Sequence, residues 1–392
     1  MTKAPLWTRD FIIVSLLNFL LVLVFYLLVV VMGLYATQVL HATPSQAGLA
    51  VGMFVVGILA GRLIVGQYID RIGRKRSMLL GLFFSIIGCL GYFIEGGILF
   101  LIINRFIHGL AVGFAATAAS TAVAHIIPIS RKGEGIGFYS MSTSLSTAIG
   151  PFIGLMMTQQ VGFKPVLALC ALVSVTSLVV GWLLRVPEAE ELPEAAPRQF
   201  SIKRLLHPTV VPLCSLMFVL GACYSGVLSY LNAFAVERQL VQAASFFFIV
   251  YAVTILLSRP ITGRLLDARG ANLIMYPALV LMALGFLVLA KAQVGWALLV
   301  AGALIGLGFG NIQSCIQAQA LKMVAPNQMG LATATFFILM DAGLGFGPYL
   351  LGFVIPWTGY AGLYLAIAAL TFLTIGVYYA VHGRRPIPVV GN

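Results

Sequence analysis

Acidic side chains are scarce in this chain. Eleven Asp and Glu stand among 392 residues, against 23 Lys and Arg, and only 9% of positions carry a charge. A water-soluble protein of this length would need amphipathic helices with a polar outer face, and none long enough is legible. Cysteine is sparse as well. Cys89, Cys170, Cys214, Cys223 and Cys315 are odd in number, show no C-x-x-C spacing and all lie in apolar segments. That points away from a disulfide framework or a metal site and leaves them as small packing residues. No P-loop occurs, so ATP is not the expected energy source. No cluster of His, Asp and Glu gathers as an enzyme would require, so no enzymatic activity, cofactor or metal is expected.

What the chain has in abundance is apolar length. Hydrophobic residues make up 61%, the mean hydropathy is +1.04, and apolar runs long enough to cross a bilayer recur throughout. The cleanest, "FIIVSLLNFLLVLVFYLLVVVMGLYA" (11–36), is too long for a secretory signal, and no small-residue cleavage site follows it. The fold class is therefore an all-α membrane protein. Charges, prolines and glycine clusters divide it into twelve spans: 11–36, 46–69, 77–94, 98–124, 136–158, 164–185, 208–234, 242–263, 272–290, 295–321, 330–353 and 360–382.

With a cytoplasmic N-terminus, 17 of the 23 basic residues fall on the cytoplasmic side or at its boundary. Lys164, Arg238 and Lys291 fall outside, and Arg62, Arg105 and Arg259 within spans. This asymmetry places both termini in the cytoplasm. The net charge of +12 thus reads as membrane topology, and no nucleic-acid partner is needed to explain it. The one long polar connection, "VPEAEELPEAAPRQFSIKRLLHP" (186–208), is rich in Glu and Pro and reads as an extended linker. The expected organisation is a bundle of six spans over 1–185, a cytoplasmic linker over 186–207, and a second bundle over 208–392.

The halves repeat. At a single offset of 197 residues Arg62 falls on Arg259, Gly66 on Gly263, Asp70 on Asp267 and Gly73 on Gly270; Gly109 falls on Gly306, Gly113 on Gly310, Gly150 on Gly347 and Pro151 on Pro348. Parallel repeats of this kind imply two bundles related by an approximate two-fold axis along the membrane normal.

The densest charge lies in "GQYIDRIGRKR" (66–76), echoed by "GRLLDARG" (263–270). Here the chain resembles the major facilitator superfamily, whose signature loop runs roughly G-x-x-x-D-R-x-G-R-[RK]. "NRFIHG" (104–109) resembles that family's fourth-span arginine motif. "STAIGPFIG" (146–154) resembles the fifth-span G-P-x-x-G motif of proton-coupled drug antiporters, with Ser146 and Leu155 where glycines are usual. The second-half loop also departs from the pattern, with Ala268 replacing the first arginine.

The resemblance implies a gating role for Gly66, Asp70, Arg71, Gly73, Arg74 and Asp267, with Asp70 closing the cytoplasmic side against the N-terminal end of span eleven. Gly150, Pro151, Gly347 and Pro348 place Gly-Pro steps inside spans five and eleven, where kinking and close helix crossing are expected. Arg62, within span two, joins this set.

Asp341 is the one acidic residue deep in a span, and an intramembrane carboxylate is a functional candidate by default. A desolvated carboxylate favours its protonated form and a neighbouring cation the ionised one, which suits reversible protonation. Arg105, in the fourth-span motif, and His108, an imidazole of the type that changes charge near neutral pH, complete the proton-coupling candidates. An ion pair between Arg62 and Asp341 is a further expectation, from their similar depths.

The resemblance puts spans one, four, seven and ten around a central cavity. Asn18, Phe25 and Tyr26 in span one, Tyr224 and Asn232 in span seven, and Asn311, Gln313 and Gln317 in span ten are the substrate-binding candidates. Aromatics with neutral amides suit an amphipathic organic molecule more than a strongly anionic one. The expected function is proton-coupled export of such molecules, drug-like or siderophore-like, by alternating access. The expected setting is the bacterial cytoplasmic membrane, with lipid, protons and a small-molecule substrate as partners and a monomer as the working form. Import of an organic acid or sugar is the closest alternative; an embedded enzyme and a channel are the alternatives of other classes.

Asp70→Asn is expected to impair transport strongly while insertion and abundance stay near wild type. Uptake assays on vesicles with matched protein levels check this, and normal transport would leave the loop with topology alone.

Overall fold

A computed structural model of the chain describes residues 5–128, 132–185, 206–324 and 328–384, and every structural statement below concerns these. The described residues form twelve helical rods: α1 (Arg9–Gln38), α2 (Pro44–Ile72), α3 (Arg74–Gly91), α4 (Gly97–Ile126), α5 (Lys132–Val161) and α6 (Phe163–Leu183), then α7 (Val211–Glu237), α8 (Val241–Arg269), α9 (Asn272–Ala290), α10 (Gly295–Lys322), α11 (Met329–Gly352) and α12 (Ile355–Gly383). Ten contain a stretch long and apolar enough to cross a membrane; α3 and α5 do not. α3 opens on Arg74, Lys75 and Arg76, and α5 carries a run of hydroxyl side chains (139–147), which lower the apolar content of each.

The span boundaries hold to within a few residues, with instructive exceptions. Span seven begins at Val211 rather than 208, because residues 208–210 form a turn and Pro212 stands in the first helical turn, where its missing N–H has no intrahelical partner to lose. In α12 the backbone breaks at Gly359 (φ +68°), so the long rod proper starts where the expected span did.

The charged signature passage is the largest correction. Read as a loop, it is helical almost throughout. α2 runs to Ile72, the single residue Gly73 (φ +89°) breaks the chain, and α3 starts at Arg74. In the second half α8 runs to Arg269 and Gly270 (φ +79°) makes the equivalent break before α9. Positive φ at both positions is the conformation that glycine adopts without a Cβ penalty.

The chain divides into two compact units, Met1–Gln199 and Phe200–Asn392; the division falls within the passage expected as a linker, of which residues 186–205 lie outside the described residues. Within the first, α1 packs on α5 and α6, α2 on α4, and α3 on α4 and α6. Phe11, Leu17, Met78, Leu82, Ala115 and Ala119 are among the residues of its core. Within the second, α7 packs on α11 and α12, α8 on α10, and α9 on α10 and α12. These are the same pairings shifted by six helices.

The contacts repeat at residue level. A Cβ at Gly109 would collide with the backbone of Phe54, and one at Gly113 with the backbone of Ile58. In the second unit a Cβ at Gly306 would collide with the backbone of Tyr251, and one at Gly310 with the side chain of Ile255. Both members of each pair are displaced by the same 197 residues, so the sequence offset is an offset of helix contacts. Without a hydrophobic drive between helices in lipid, such close approach is what holds a bundle together.

Gly109→Ala and Gly306→Ala are each expected to cost about 1–3 kcal/mol by overpacking and to lower the thermal midpoint of the purified protein. Gly263, around which a Cβ would meet nothing within 4 Å, serves as the control: Gly263→Ala is expected to leave the midpoint unchanged or raise it, through helix propensity alone. Equal effects at all three positions would contradict this packing.

Candidate functional site

In the first unit two polar networks occupy opposite ends of the bundle. Toward the end bearing Gly73, Asn18 on α1 is buried and fully engaged with α5. Its Nδ2 donates to Ser142 Oγ at 2.7 Å and Thr143 Oγ1 at 3.0 Å, and its Oδ1 accepts from the Tyr139 hydroxyl at 3.1 Å. Ser146 donates to the Phe19 carbonyl one turn further along (2.8 Å). Arg62 on α2, half-buried, lies within electrostatic range of the Tyr139 phenol. Gly150 then lets α5 close on α1 at Tyr26 and Leu23, and Pro151, inside the helix, leaves the Thr147 carbonyl without its usual N–H partner.

Toward the other end, Arg105 and His108 lie one helical turn apart on α4, both fully buried. Arg105 donates through Nε to the Ala50 carbonyl (3.0 Å) and through Nη2 to the Val51 carbonyl (3.3 Å). Its guanidinium carbon lies 4.4 Å from the Phe54 ring centre. Nη1 reaches the Tyr92 hydroxyl at 3.5 Å, and that hydroxyl stands 3.0 Å from His108 Nδ1. The phenol oxygen is shared between the guanidinium and Nδ1, and Nε2 lies 3.0 Å from Ser85 Oγ. The chain Arg105–Tyr92–His108–Ser85 thus uses both imidazole nitrogens. The partners of Arg105 are carbonyls, a phenol and a ring, not a carboxylate.

In the second unit Asp341 stands twelve residues into the 24-residue α11, roughly 18 Å from its start at ~1.5 Å per residue, which is the middle of the span. It is 5% exposed. Among the described residues it is the one carboxylate away from a helix end. The same helix packs on α7 through a seam of small residues: Gly221 on α7 meets the backbone at Met340 and Leu344, Gly343 meets Phe218 and Ala222, and Gly347 meets Ala222 and Ser225. Pro348 follows, its carbonyl accepting from the Tyr230 hydroxyl. Since Pro348 has no N–H, the Leu344 carbonyl loses its helical partner beside this seam.

The substrate candidates separate into two groups. Phe25 stacks on Phe54 and touches Tyr26 edge-on. Tyr224, 2% exposed, stacks on Phe309 and Tyr251 at 4.3 and 5.4 Å between ring centres. Asn311 donates to Ser258 Oγ and the Leu307 carbonyl and accepts from Thr262, tying α10 to α8 just after a π-helical turn, Gly306–Gly310. With Asn18, these side chains are occupied inside their own units. Asn232 is different: it is buried, and its Oδ1 has no hydrogen-bond partner among the described residues. Gln313 and Gln317 are half-buried, one turn apart on α10.

Of the gating candidates, Gly66, Asp70 and Arg71 lie on the last turns of α2 and Asp267 on the last turns of α8, and their side chains fall outside the described residues. Gly73 is the break described above, and Arg74 opens α3. A carboxylate at the C-terminal end of its own helix is disfavoured by the helix dipole, so Asp70 gains nothing from α2.

The family model for the Major Facilitator Superfamily matches residues 14–296 and 241–390. The chain belongs to this superfamily. An uncharacterized MFS-type transporter of Methanocaldococcus jannaschii, MJ1560, is 22% identical over 88% of this chain and 91% of its own length. Multidrug resistance protein 2 of Bacillus subtilis is 24% identical over 80% of this chain and 81% of its own. The crystal structure of the nucleoside transporter NupG superposes with a TM-score of 0.75 at 14% identity, covering 95% of this chain and 99% of that one; at that identity the likeness is one of fold. The protein is accordingly a multi-pass membrane transporter and not an enzyme.

Several residues of this transporter's polar interior escaped the sequence reading. Tyr139, Ser142, Thr143 and Ser146 were signalled by the run "YSMSTSLST" (139–147), where hydroxyls recur at helical spacing in an apolar span. Tyr92 and Ser85 carried no such signal, because single hydroxyls in membrane helices are common. Ser258 and Thr262 lie one turn apart, a weak signal at best.

Tyr92→Phe removes the hydroxyl between Arg105 and His108 and leaves buried polar atoms unpaired, a cost of about 1–3 kcal/mol. The expected result is a lower thermal midpoint with proton-to-substrate coupling unchanged in the folded fraction. Lost coupling at unchanged stability would instead put this chain of hydrogen bonds in the proton path.

Proposed function

We propose that this superfamily member is a proton-coupled exporter of small amphipathic organic molecules, working by alternating access with Asp341 as the group that takes and releases the proton. The observation that carries the reading is Asp341 itself: a buried carboxylate at mid-span, on a helix whose packing against α7 runs through glycines. Placing charge there is costly, so protonation alters the preferred surroundings of α11 and biases one conformation over another. Arg105 and His108 serve as a fixed cation and a neutral imidazole that hold α2, α3 and α4 together. Asp70 and its helix-end neighbours act as the gate.

Export is supported by the G-P-x-x-G passage in α5 and by the likeness to Multidrug resistance protein 2. The fold shared with the nucleoside transporter NupG keeps metabolite import as the second reading. For the substrate, Asn232, Gln313 and Gln317 are the candidates whose amides are not consumed by their own bundle, so they are proposed as the polar contacts. Asn18, Phe25, Tyr26, Tyr224 and Asn311 shape the surroundings. The proposed setting is a bacterial cytoplasmic membrane with both termini inside and a monomer as the working unit.

The test is reconstitution into liposomes with an imposed pH gradient and a screen of amphipathic cations, neutral compounds and small metabolites. Proton movement tied to particular compounds is expected, with the direction relative to vesicle orientation separating export from import. Asp341→Asn is expected to abolish gradient-driven accumulation, by a factor of ten or more, while downhill exchange of the same compound persists. Wild-type accumulation in that variant would remove Asp341 from the coupling step.

A further inference from the structure

On the outer face of the first unit, α3 and α6 form a groove of about 720 Å³. Its origin is local. Gly181 on α6 sits directly against Leu82 and Met78 of α3, drawing the two helices together along one line. The larger side chains on either side of that line rise as walls: Leu80 and Phe83 from α3, Leu178, Val179 and Trp182 from α6. These walls are apolar, and Leu80, Phe83, Val179 and Trp182 are each between 47% and 67% exposed. One polar group lines the groove, the exposed Arg76 at its end.

The arrangement has a direction. Arg76 is the third residue of α3, and Trp182 the penultimate residue of the antiparallel α6, so cation and indole share the level at which both helices meet the membrane boundary. Trp is enriched at that level. From Arg76 to Phe83 the groove descends seven residues, roughly 10 Å by helical rise, within the ~15 Å that half of a ~30 Å hydrocarbon core provides. Lys75 and Arg74 stand beside Arg76 at the helix start. A membrane-facing trough that is cationic at the headgroup level and apolar below complements one kind of molecule: a negatively charged headgroup with an acyl chain.

We propose that the groove between α3 and α6 is a binding site for an anionic phospholipid, with the phosphate at Arg76 and an acyl chain lying between Phe83 and Val179. The site belongs to the leaflet that meets the α2–α3 junction. A helix of a second copy would fill the apolar trough but would leave Arg76 without an anion.

The chain contains four tryptophans, so Trp7→Phe, Trp296→Phe and Trp357→Phe together leave Trp182 as a reporter inside the groove. This full-length protein is reconstituted into phosphatidylcholine vesicles containing increasing brominated phosphatidylglycerol or, separately, brominated phosphatidylcholine. Brominated phosphatidylglycerol is expected to quench Trp182 at about fivefold lower mole fraction, the preference that one surface cation confers, and Arg76→Gln is expected to bring the two curves together. Equal quenching in the parent protein, or a preference that survives Arg76→Gln, overturns the proposal. So does Trp182 shielded from both lipids in a cross-linkable dimer. If the triple variant does not fold, native mass spectrometry of wild type and Arg76→Gln decides: phosphatidylglycerol retained by the first and lost by the second supports the site, and equal retention overturns it.

Discussion

In hydrocarbon, a backbone amide or carbonyl has no water to turn to, and this constraint shapes everything else in the protein. It makes every span a helix, and it leaves the helices with little reason to associate except close contact. The chain answers with glycine where two backbones must meet. Gly109 and Gly113 admit α2 to α4, and Gly306 and Gly310 admit α8 to α10, against partner residues that correspond at the same offset. Where the chain must turn within one residue, Gly73 and Gly270 make the same break in both halves. The repeat is therefore a repeat of a physical solution.

The same constraint sorts the embedded charges. Arg105 is fully buried, and carbonyl oxygens and the Phe54 ring offset its desolvation. A charge so held is a fixture. Asp341 stands where a seam of small residues presses on its helix. That contrast gives one half of the molecule a fixed cation and the other the carboxylate proposed as proton carrier. Arg105 and His108, the latter with both imidazole nitrogens within hydrogen-bond distance of hydroxyls, are proposed to hold the first unit together.

Much of the fold was legible because its signals are long. Long apolar spans and the offset of 197 residues survive any error of a few positions. The charged passage at 66–76 was recognisable by its residues but not by its shape. Charge and glycine suggest a loop, whereas lipid and headgroup contacts allow a helix to continue until Gly73. The candidate site was legible one residue at a time. Asp341 stood out because acids are rare in spans, while the closed aromatic stack of Tyr224 and the engaged amides of Asn18 and Asn311 depend on which way each helix is turned, and one sequence does not encode that openly.

The central claim is that Asp341 exchanges a proton at mid-span, and its carboxyl group can be observed directly. Difference infrared spectroscopy of the reconstituted protein, recorded as pH is stepped, should show a protonated-carboxyl band that appears and vanishes reversibly, moves when transported compound is added, and is missing from Asp341→Asn. A spectrum in which wild type and Asp341→Asn show the same titrating carboxyl bands would contradict the account.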